Sequence, residues 1–261
     1  MNQPARLFSH ATAASVRNAT NLRRPEVMVV SHERSGTHFL MNSLGAAFGY
    51  PNANFLNFDQ PDLNVNFFDP AVVANVVSRV AAQRAGAMIK SHHAVEFFQP
   101  TMASVAHHLL VFYIYRDPVD VMISFWRFMH RWSWHEGPRA PTALEFAMAE
   151  PEGNLLRYQM RQRSSMLDRW ARHVEGWTQA AERNRRIVLV RYEDLRDSYP
   201  DMIARFSAII GQSPATTTPP DPSRNVVPGA DPDTLPPPDI TALRELALRE
   251  VGETMRLLHY A

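Results

Sequence analysis

Four short apolar runs, separated by helical patterns, constrain the fold more than any other feature of this sequence. Each run is nearly continuous in apolar residues, which is typical of strands buried on both faces of a parallel sheet. The runs are Val27–Ser31, Ala87–Lys90, Leu109–Tyr115 and Ile187–Arg191. Apolar residues step by three and four along Thr37–Phe48 and Leu167–Ala181, which predicts helices between the strands. The alternation predicts an α/β fold with three layers around a mainly parallel central sheet.

Composition narrows the classes of protein that this chain can represent. The chain has 261 residues, and 45% of them are hydrophobic, which suits one compact domain, with two small domains as the alternative. We expect that domain to comprise residues 25–261. The formal net charge is +1, so no basic excess favours nucleic acid as a partner. Cysteine is absent, which excludes disulfides and cysteine nucleophiles and fits a cytoplasmic location. No apolar run approaches the roughly 18–20 residues that a membrane-spanning helix needs.

Two segments stand apart from the strand and helix patterns. Residues 1–24 are rich in Arg, Ser and Ala and poor in acids, so they fit either a loosely packed extension or an organelle-targeting segment. Residues 214–238 are dense in proline and too long for an ordinary connection, which predicts a functional loop, a lid or partial disorder.

The segment after the first apolar run, Ser31–Thr37, predicts an anion site. A strand, a tight turn and a helix start leave backbone N–H groups free to bind negative charge. Gly36 lets the backbone approach a phosphate, and Arg34 adds a charge-assisted contact. An ordinary helix cap with a surface arginine is the alternative interpretation, and for a Ser-Gly-Thr sequence taken alone it is the more common one. The segment lacks the lysine and spacing of a Walker A loop, so it does not indicate an ATP or GTP site.

A second candidate clamp follows the third apolar run. Arg116 comes directly after that run, where ligands of open α/β sheets bind. Pro118 predicts the start of a helix that places Ser124 about two turns in, facing the same mouth. An ion pair between Arg116 and Asp120 that caps the helix is the alternative interpretation.

Together the two clamps resemble those of the sulfotransferase family, over about Glu26–Ile210. In that family a loop like Arg34–Thr37 holds the 5′-phosphate of the sulfonate donor PAPS (3′-phosphoadenosine 5′-phosphosulfate), and a segment like Arg116–Ser124 holds its 3′-phosphate. Val190–Leu195 resembles a further landmark of the family. The resemblance implies PAPS as donor and the nucleotide PAP as product. The donor-binding residues that it implies are Arg34, Ser35, Gly36, Thr37, His38, Arg116 and Ser124.

The C-terminal motif of the family is only partly present. Family members carry an Arg-Lys-Gly-x-x-Gly-Asp-Trp segment whose arginine and backbone grip the 3′-phosphate. This chain has Arg224 and Gly229 at the family spacing but lacks the Lys, the first Gly and the Trp. The resemblance therefore implies Arg224 as a donor ligand on a divergent motif.

The segment Lys90–His92 resembles the part of the family that carries the catalytic base. On that match His92 takes the proton of the acceptor, since histidine titrates in the working range. His93 is an alternative base, because neighbouring strand residues face opposite ways and one sequence does not fix the register. Glu33 is a second alternative, which the resemblance implies because some relatives use a glutamate base. Lys90, the only lysine of the chain, and Arg34 are expected to stabilise the leaving charge. No metal is expected, because adjacent histidines do not easily chelate one ion.

The function that this resemblance implies is transfer of a sulfonate from PAPS to a hydroxyl or amine of a small-molecule, lipid or sugar acceptor. A divergent P-loop kinase that uses ATP and a non-catalytic nucleotide-binding relative are the alternatives. Fold-level analogy selects neither the acceptor nor the oligomeric state.

Overall fold

The computed structural model of the chain describes residues 24–50, 88–99, 109–132 and 135–261. The predicted N-terminal extension lies outside the described residues except for Arg24. Arg24 donates from Nη1 to the carbonyl oxygen of Phe48 at 2.6 Å and lies over the ring of Tyr50. The predicted domain limits of 25–261 stay a prediction.

Four parallel strands form the central sheet of the described chain. They are β1 (Glu26–Ser31), β2 (Met88–Ser91), β3 (Leu109–Tyr115) and β4 (Ile187–Arg191). Their order is β2-β1-β3-β4, so β1 and β3 lie in the interior. All three pairings are parallel, and Val29 for example lies opposite Lys90 on one side and Phe112 on the other. The predicted α/β class with a mainly parallel sheet is confirmed.

Seven α-helices surround the sheet in the described chain, with 3₁₀ turns at Val95–Phe97, Gly153–Tyr158 and Pro232–Thr234. The helices are α1 (Thr37–Phe48), α2 (Pro118–Arg131), α3 (Ala143–Met148), α4 (Met166–Arg183), α5 (Tyr192–Asp197), α6 (Tyr199–Ile210) and α7 (Ile240–Leu257). None of these helices is long and apolar enough to cross a membrane.

The core has two parts, one on each face of the sheet. Because successive strand side chains point to opposite faces, Val27 and Val29 pack with α1 and α6, whereas Met28 and Val30 pack with α2, α4 and α7. Burial on both faces explains why each strand is nearly continuous in apolar residues. The result is the three-layer arrangement that the sequence predicts.

The parallel topology brings four polar positions to one edge of the sheet. All the strands run the same way, so their carboxyl ends meet there. The residues that come directly after β1, β2, β3 and β4 are His32, His92, Arg116 and Tyr192. The candidate site is built at this edge.

Candidate functional site

The loop between β1 and α1 has a backbone that only special residues adopt easily. Arg34 has a φ of 65° and Gly36 a φ of 96°, both in the left-handed region. A Cβ at Gly36 would overlap the ring of Tyr192, so glycine is required both for its conformation and for space. Ser35 is fully buried, and its hydroxyl has no hydrogen-bond partner among the described residues. A buried hydroxyl without a partner costs free energy, so this loop is suited to a ligand that accepts hydrogen bonds.

A cleft of about 580 Å³ opens beside this loop. Arg34 crosses to its far wall, where Nε donates to Ser124 Oγ at 3.1 Å. Burial, and after it the charge of Arg116, lowers the pKa of Arg34 to about 10, so Arg34 stays protonated at neutral pH. The side chains and backbone that line the cleft belong to Arg34, Arg116, Asp120, Ile123, Ser124, Arg127, Pro228, Gly229, Ala230, Pro238 and Ile240.

Arg116 forms the ion pair of one interpretation and lines the cleft that the other requires. Its Nη2 donates to Asp120 Oδ2 at 2.8 Å, which is the helix-start ion pair. It also lines the cleft together with Ser124, and its Nε is buried without a partner among the described residues. The guanidinium stacks over the ring of Tyr192 at 4.6 Å, and the same ring covers Gly36. Tyr192 thus contacts both the loop and the arginine cleft.

His92 lies at the end of β2, next to the end of β1. Its Nδ1 is 2.9 Å from the carbonyl oxygen of Ser31 and 3.2 Å from the hydroxyl of that residue. A carbonyl oxygen only accepts, so Nδ1 carries the proton and Nε2 keeps the lone pair of the neutral ring. No described residue hydrogen bonds to Nε2. Burial, and after it the charge of Lys90, holds the pKa of His92 well below its ordinary value of 6.5, so the ring is neutral at pH 7.

The neighbouring His93 faces the other way, into the core. Its ring packs edge-on against the rings of Phe97, Phe98 and Tyr158, and it is fully buried. Its Nδ1 is 3.0 Å from the hydroxyl of Ser91. Burial, with the charge of Arg157 second, lowers the pKa of His93 to about 3. This environment suits a structural residue rather than a base that exchanges protons with a substrate.

Glu33, the other alternative base, is held in a buried ion pair. Both of its carboxylate oxygens accept hydrogen bonds from Arg169 of α4, at 2.8 and 2.7 Å. The same guanidinium donates to His32 Nε2 at 2.7 Å and to Gln159 Oε1 at 3.0 Å. Arg169 is only 2% exposed, so the pair anchors the loop to α4 and occupies both oxygens of Glu33.

Lys90 and His38 lie within electrostatic reach of each other and of the loop. Burial, followed by the charges of Lys90 and Arg34, lowers the pKa of His38 to about 4. The charge of Lys90 also contributes to the lowered pKa of His92. Lys90 therefore brings positive charge to the region between the candidate base and the first turn of α1.

The predicted ligand Arg224 does not line the cleft, although it belongs to the segment that does. Its side chain is exposed and does not line the cleft, while its carbonyl oxygen accepts from Asn42 Nδ2 at 2.9 Å. Further along the same segment, the Val227 carbonyl accepts from Arg34 Nη1 at 3.2 Å. Pro228 and Gly229 line the cleft. The proline-rich segment thus forms one wall of the cleft.

Sequence reasoning assigned no contact at this edge to three residues that shape it, although one of them, Tyr192, lies in the landmark segment Val190–Leu195. Arg127 lines the cleft, Tyr192 covers Gly36 and Arg116, and Arg169 binds Glu33. Arg127 was accessible to sequence reasoning, because it follows Ser124 by three residues and so shares its helix face. Arg169 gave no such signal, since it lies 136 residues from Glu33. Among the described residues, no group of three or more His, Asp or Glu residues is arranged to hold a metal ion.

A parallel sheet with a glycine-containing loop and an arginine-lined cleft at its carboxyl edge defines an α/β protein of the P-loop-like type. Residues 24–219 match the model of the sulfotransferase domain, so the chain belongs to the sulfotransferase family. This match confirms the family that the motifs Arg34–Thr37 and Arg116–Ser124 predict.

Two relatives give the extent of the similarity. The chain is 20% identical over 210 residues to Sulfotransferase 2B1 of Mus musculus, which covers 80% of this chain and 56% of that protein. The chain thus spans little more than half the length of that curated relative. The crystal structure of mouse sulfotransferase SULT7A1 complexed with PAP is 16% identical, with a TM-score of 0.54, and the match covers 91% of this chain and 89% of that one. At this identity the structural match supports the fold alone.

Proposed function

We propose that the protein is a sulfotransferase that moves a sulfonate group from PAPS to a hydroxyl, or an amine, of a small-molecule, lipid or sugar acceptor. One observation carries the proposal. A loop whose buried Ser35 hydroxyl has no partner in the described part of the chain lies at the same edge of the sheet as the cleft with Arg34 and Arg116. PAPS has phosphate groups at both ends of its ribose, and two adjacent anion sites suit it. The cytoplasmic location stays a prediction.

The two anion sites correspond to the two ends of the donor. The hydroxyls of Ser35 and Thr37, with the backbone N–H groups beside Gly36, are assigned to the 5′-phosphate, because they stand at the start of α1. His38 belongs to the same first turn. Arg116 and Ser124 are assigned to the 3′-phosphate. Arg34 joins the two sites, since it starts in the loop and reaches Ser124.

His92 acts as the general base in this proposal. Its Nε2 accepts the proton of the acceptor hydroxyl while that oxygen forms its bond to sulfur. The bond between sulfur and the bridging oxygen breaks, so the leaving PAP gains one negative charge. Arg34, Lys90 and the loop N–H groups stabilise that charge. The proton on Nδ1, fixed by the Ser31 carbonyl, keeps Nε2 available.

Calorimetric titration with PAP tests donor binding. We expect the wild-type chain to bind PAP and the double variant Arg34→Ala, Arg116→Ala to bind at least about 100-fold more weakly, because each arginine makes charge-assisted hydrogen bonds. Arg131→Ala is the matched control, since Arg131 is an exposed arginine on α2 that does not line the cleft. Absence of binding to the wild type, or full binding to the double variant, would refute the proposal.

A second experiment tests the base. Wild type and His92→Asn are assayed for PAPS-dependent sulfonation over a panel of hydroxyl and amine acceptors. We expect the variant to keep its PAP affinity and to lose roughly 100- to 10,000-fold in kcat. Equal turnover by both proteins would remove His92 from the role of base. PAP binding by the wild type without turnover of any acceptor would instead favour a non-catalytic nucleotide-binding protein.

A further inference from the structure

Arg127 stands on the same face of α2 as Ser124, one turn further along the helix. It lines the cleft beside Arg34 and Arg116. Its Nε is buried and has no hydrogen-bond partner among the described residues, and no described carboxylate forms an ion pair with its guanidinium. Partly burying an arginine without a carboxylate partner costs free energy unless a bound anion compensates its charge.

The charges that line the cleft are unbalanced. Three guanidinium groups, those of Arg34, Arg116 and Arg127, face a single lining carboxylate, Asp120. That carboxylate is already paired with Arg116 at 2.8 Å. A ligand with about two negative charges, such as a phosphate monoester, would compensate the excess and could accept several hydrogen bonds at once.

The wall of the cleft that the proline-rich segment forms, at Pro228, Gly229 and Ala230, packs directly against Arg127. The backbone N–H of Ala230 donates to the carbonyl oxygen of Arg127 at 2.8 Å. A Cβ at Gly229 would lie 2.9 Å from the Cβ of Arg127, so glycine allows this close approach. The segment that should carry the basic residues of the family motif therefore contributes no basic side chain to the cleft lining among the described residues, and Arg224 lies outside that lining.

We propose that Arg127 is a direct ligand of the 3′-phosphate of the donor and replaces the charge that the divergent C-terminal segment no longer brings to the cleft. The assignment rests on the proposed function. On this assignment Arg127 determines nucleotide specificity, because its guanidinium binds the 3′-phosphate, which PAP has and adenosine 5′-phosphate lacks. The guanidinium and Ser124 then bind the phosphate from one helix face.

The test compares the affinities for two nucleotides that differ only in the 3′-phosphate. Calorimetry measures the binding of PAP and of adenosine 5′-phosphate to wild type, Arg127→Gln and Arg127→Lys, with Arg131→Gln as the matched control on the same helix. We expect Arg127→Gln to weaken PAP about 10- to 100-fold and adenosine 5′-phosphate less than about 3-fold. Arg127→Lys should keep part of the preference, since lysine supplies the charge without the planar fork.

Each outcome decides the assignment. A lost preference for PAP in Arg127→Gln, with the control unchanged, supports it. An unchanged ratio of the two affinities, or an equal loss for both nucleotides, overturns it while leaving the proposed function intact. A wild type that does not bind PAP overturns both. A thermal melt of each variant identifies any loss of folding, and in that case Arg127→Lys, which retains charge and length, supplies the decisive ratio.

Discussion

The buried pair between Glu33 and Arg169 allows a sharp prediction about how the loop is held in place. Arg169→Met removes two hydrogen bonds to the carboxylate, at 2.7 and 2.8 Å, and leaves Glu33 largely buried without its counter-charge. It also removes the donors to His32 and Gln159. Breaking one side of a buried pair typically costs about 3–5 kcal/mol in the free energy of unfolding. For a chain of this size that corresponds to a fall in Tm of roughly 6–20 °C.

The assay is urea denaturation of wild type and Arg169→Met, followed by far-UV circular dichroism. Arg172→Met is the matched control, because Arg172 lies on the same helix and its ion pairs with Asp168 and Glu175 are on the surface. Such exposed pairs contribute about 0.2–1 kcal/mol. The double variant Glu33→Gln, Arg169→Met should recover part of the lost stability, since no unpaired buried charge remains. A loss in Arg169→Met no larger than that of the control would refute the reasoning.

Three further predictions concern the loop between β1 and α1, the buried His93 and the proline-rich wall. Gly36→Ala should weaken PAP binding at least about 10-fold, because a φ of 96° and the ring of Tyr192 both oppose a side chain there. The control is Gly211→Ala, since Gly211 also has a positive φ but has open space around it, and this variant should leave the PAP affinity unchanged. Equal effects of the two variants in a PAP titration would contradict the prediction. The folded chain keeps His93 neutral down to a pKa of about 3, while the unfolded chain takes up a proton below 6.5, so stability must fall as the pH drops below 6.5. At pH 5 this linkage costs about 2 kcal/mol, and urea unfolding should show that His93→Phe loses about that much less than wild type between pH 7 and pH 5; parallel losses would count against it. If residues 214–238 act as a lid, PAP should slow protease cleavage within them, and an unchanged cleavage rate would exclude that role.

Much of the fold follows from the apolar runs because a buried parallel strand leaves a clear signal. Leu109–Tyr115 and Ile187–Arg191 were predicted with the observed bounds, and β1 and β2 differ by a single residue at their ends. Arg116 could be placed at the mouth of the site by the same logic, since the carboxyl ends of parallel strands share one edge.

The details that the sequence did not reveal are the directions of strand side chains and the contacts between residues that are distant in the sequence. The strand pattern could not tell His92 from His93, because a shift of one residue reverses the faces. The structure turns His92 toward Ser31 and His93 toward Phe97. The pairing of Glu33 with Arg169 depends on α4 packing against the loop, and contacts between such distant residues leave no local pattern in a single sequence.

Ser31 contacts both the loop of the candidate donor site and the candidate base. Its hydroxyl is 2.6 Å from that of Thr37 at the start of α1, and its carbonyl holds the ring of His92. Under the proposed mechanism, one interior strand residue therefore sets the distance between the donor cradle and the base. In that mechanism, a change in the sequence or length of a loop that contacts the acceptor would leave this distance unaltered. Such a scaffold would accommodate new acceptors while the proposed transfer chemistry stays the same.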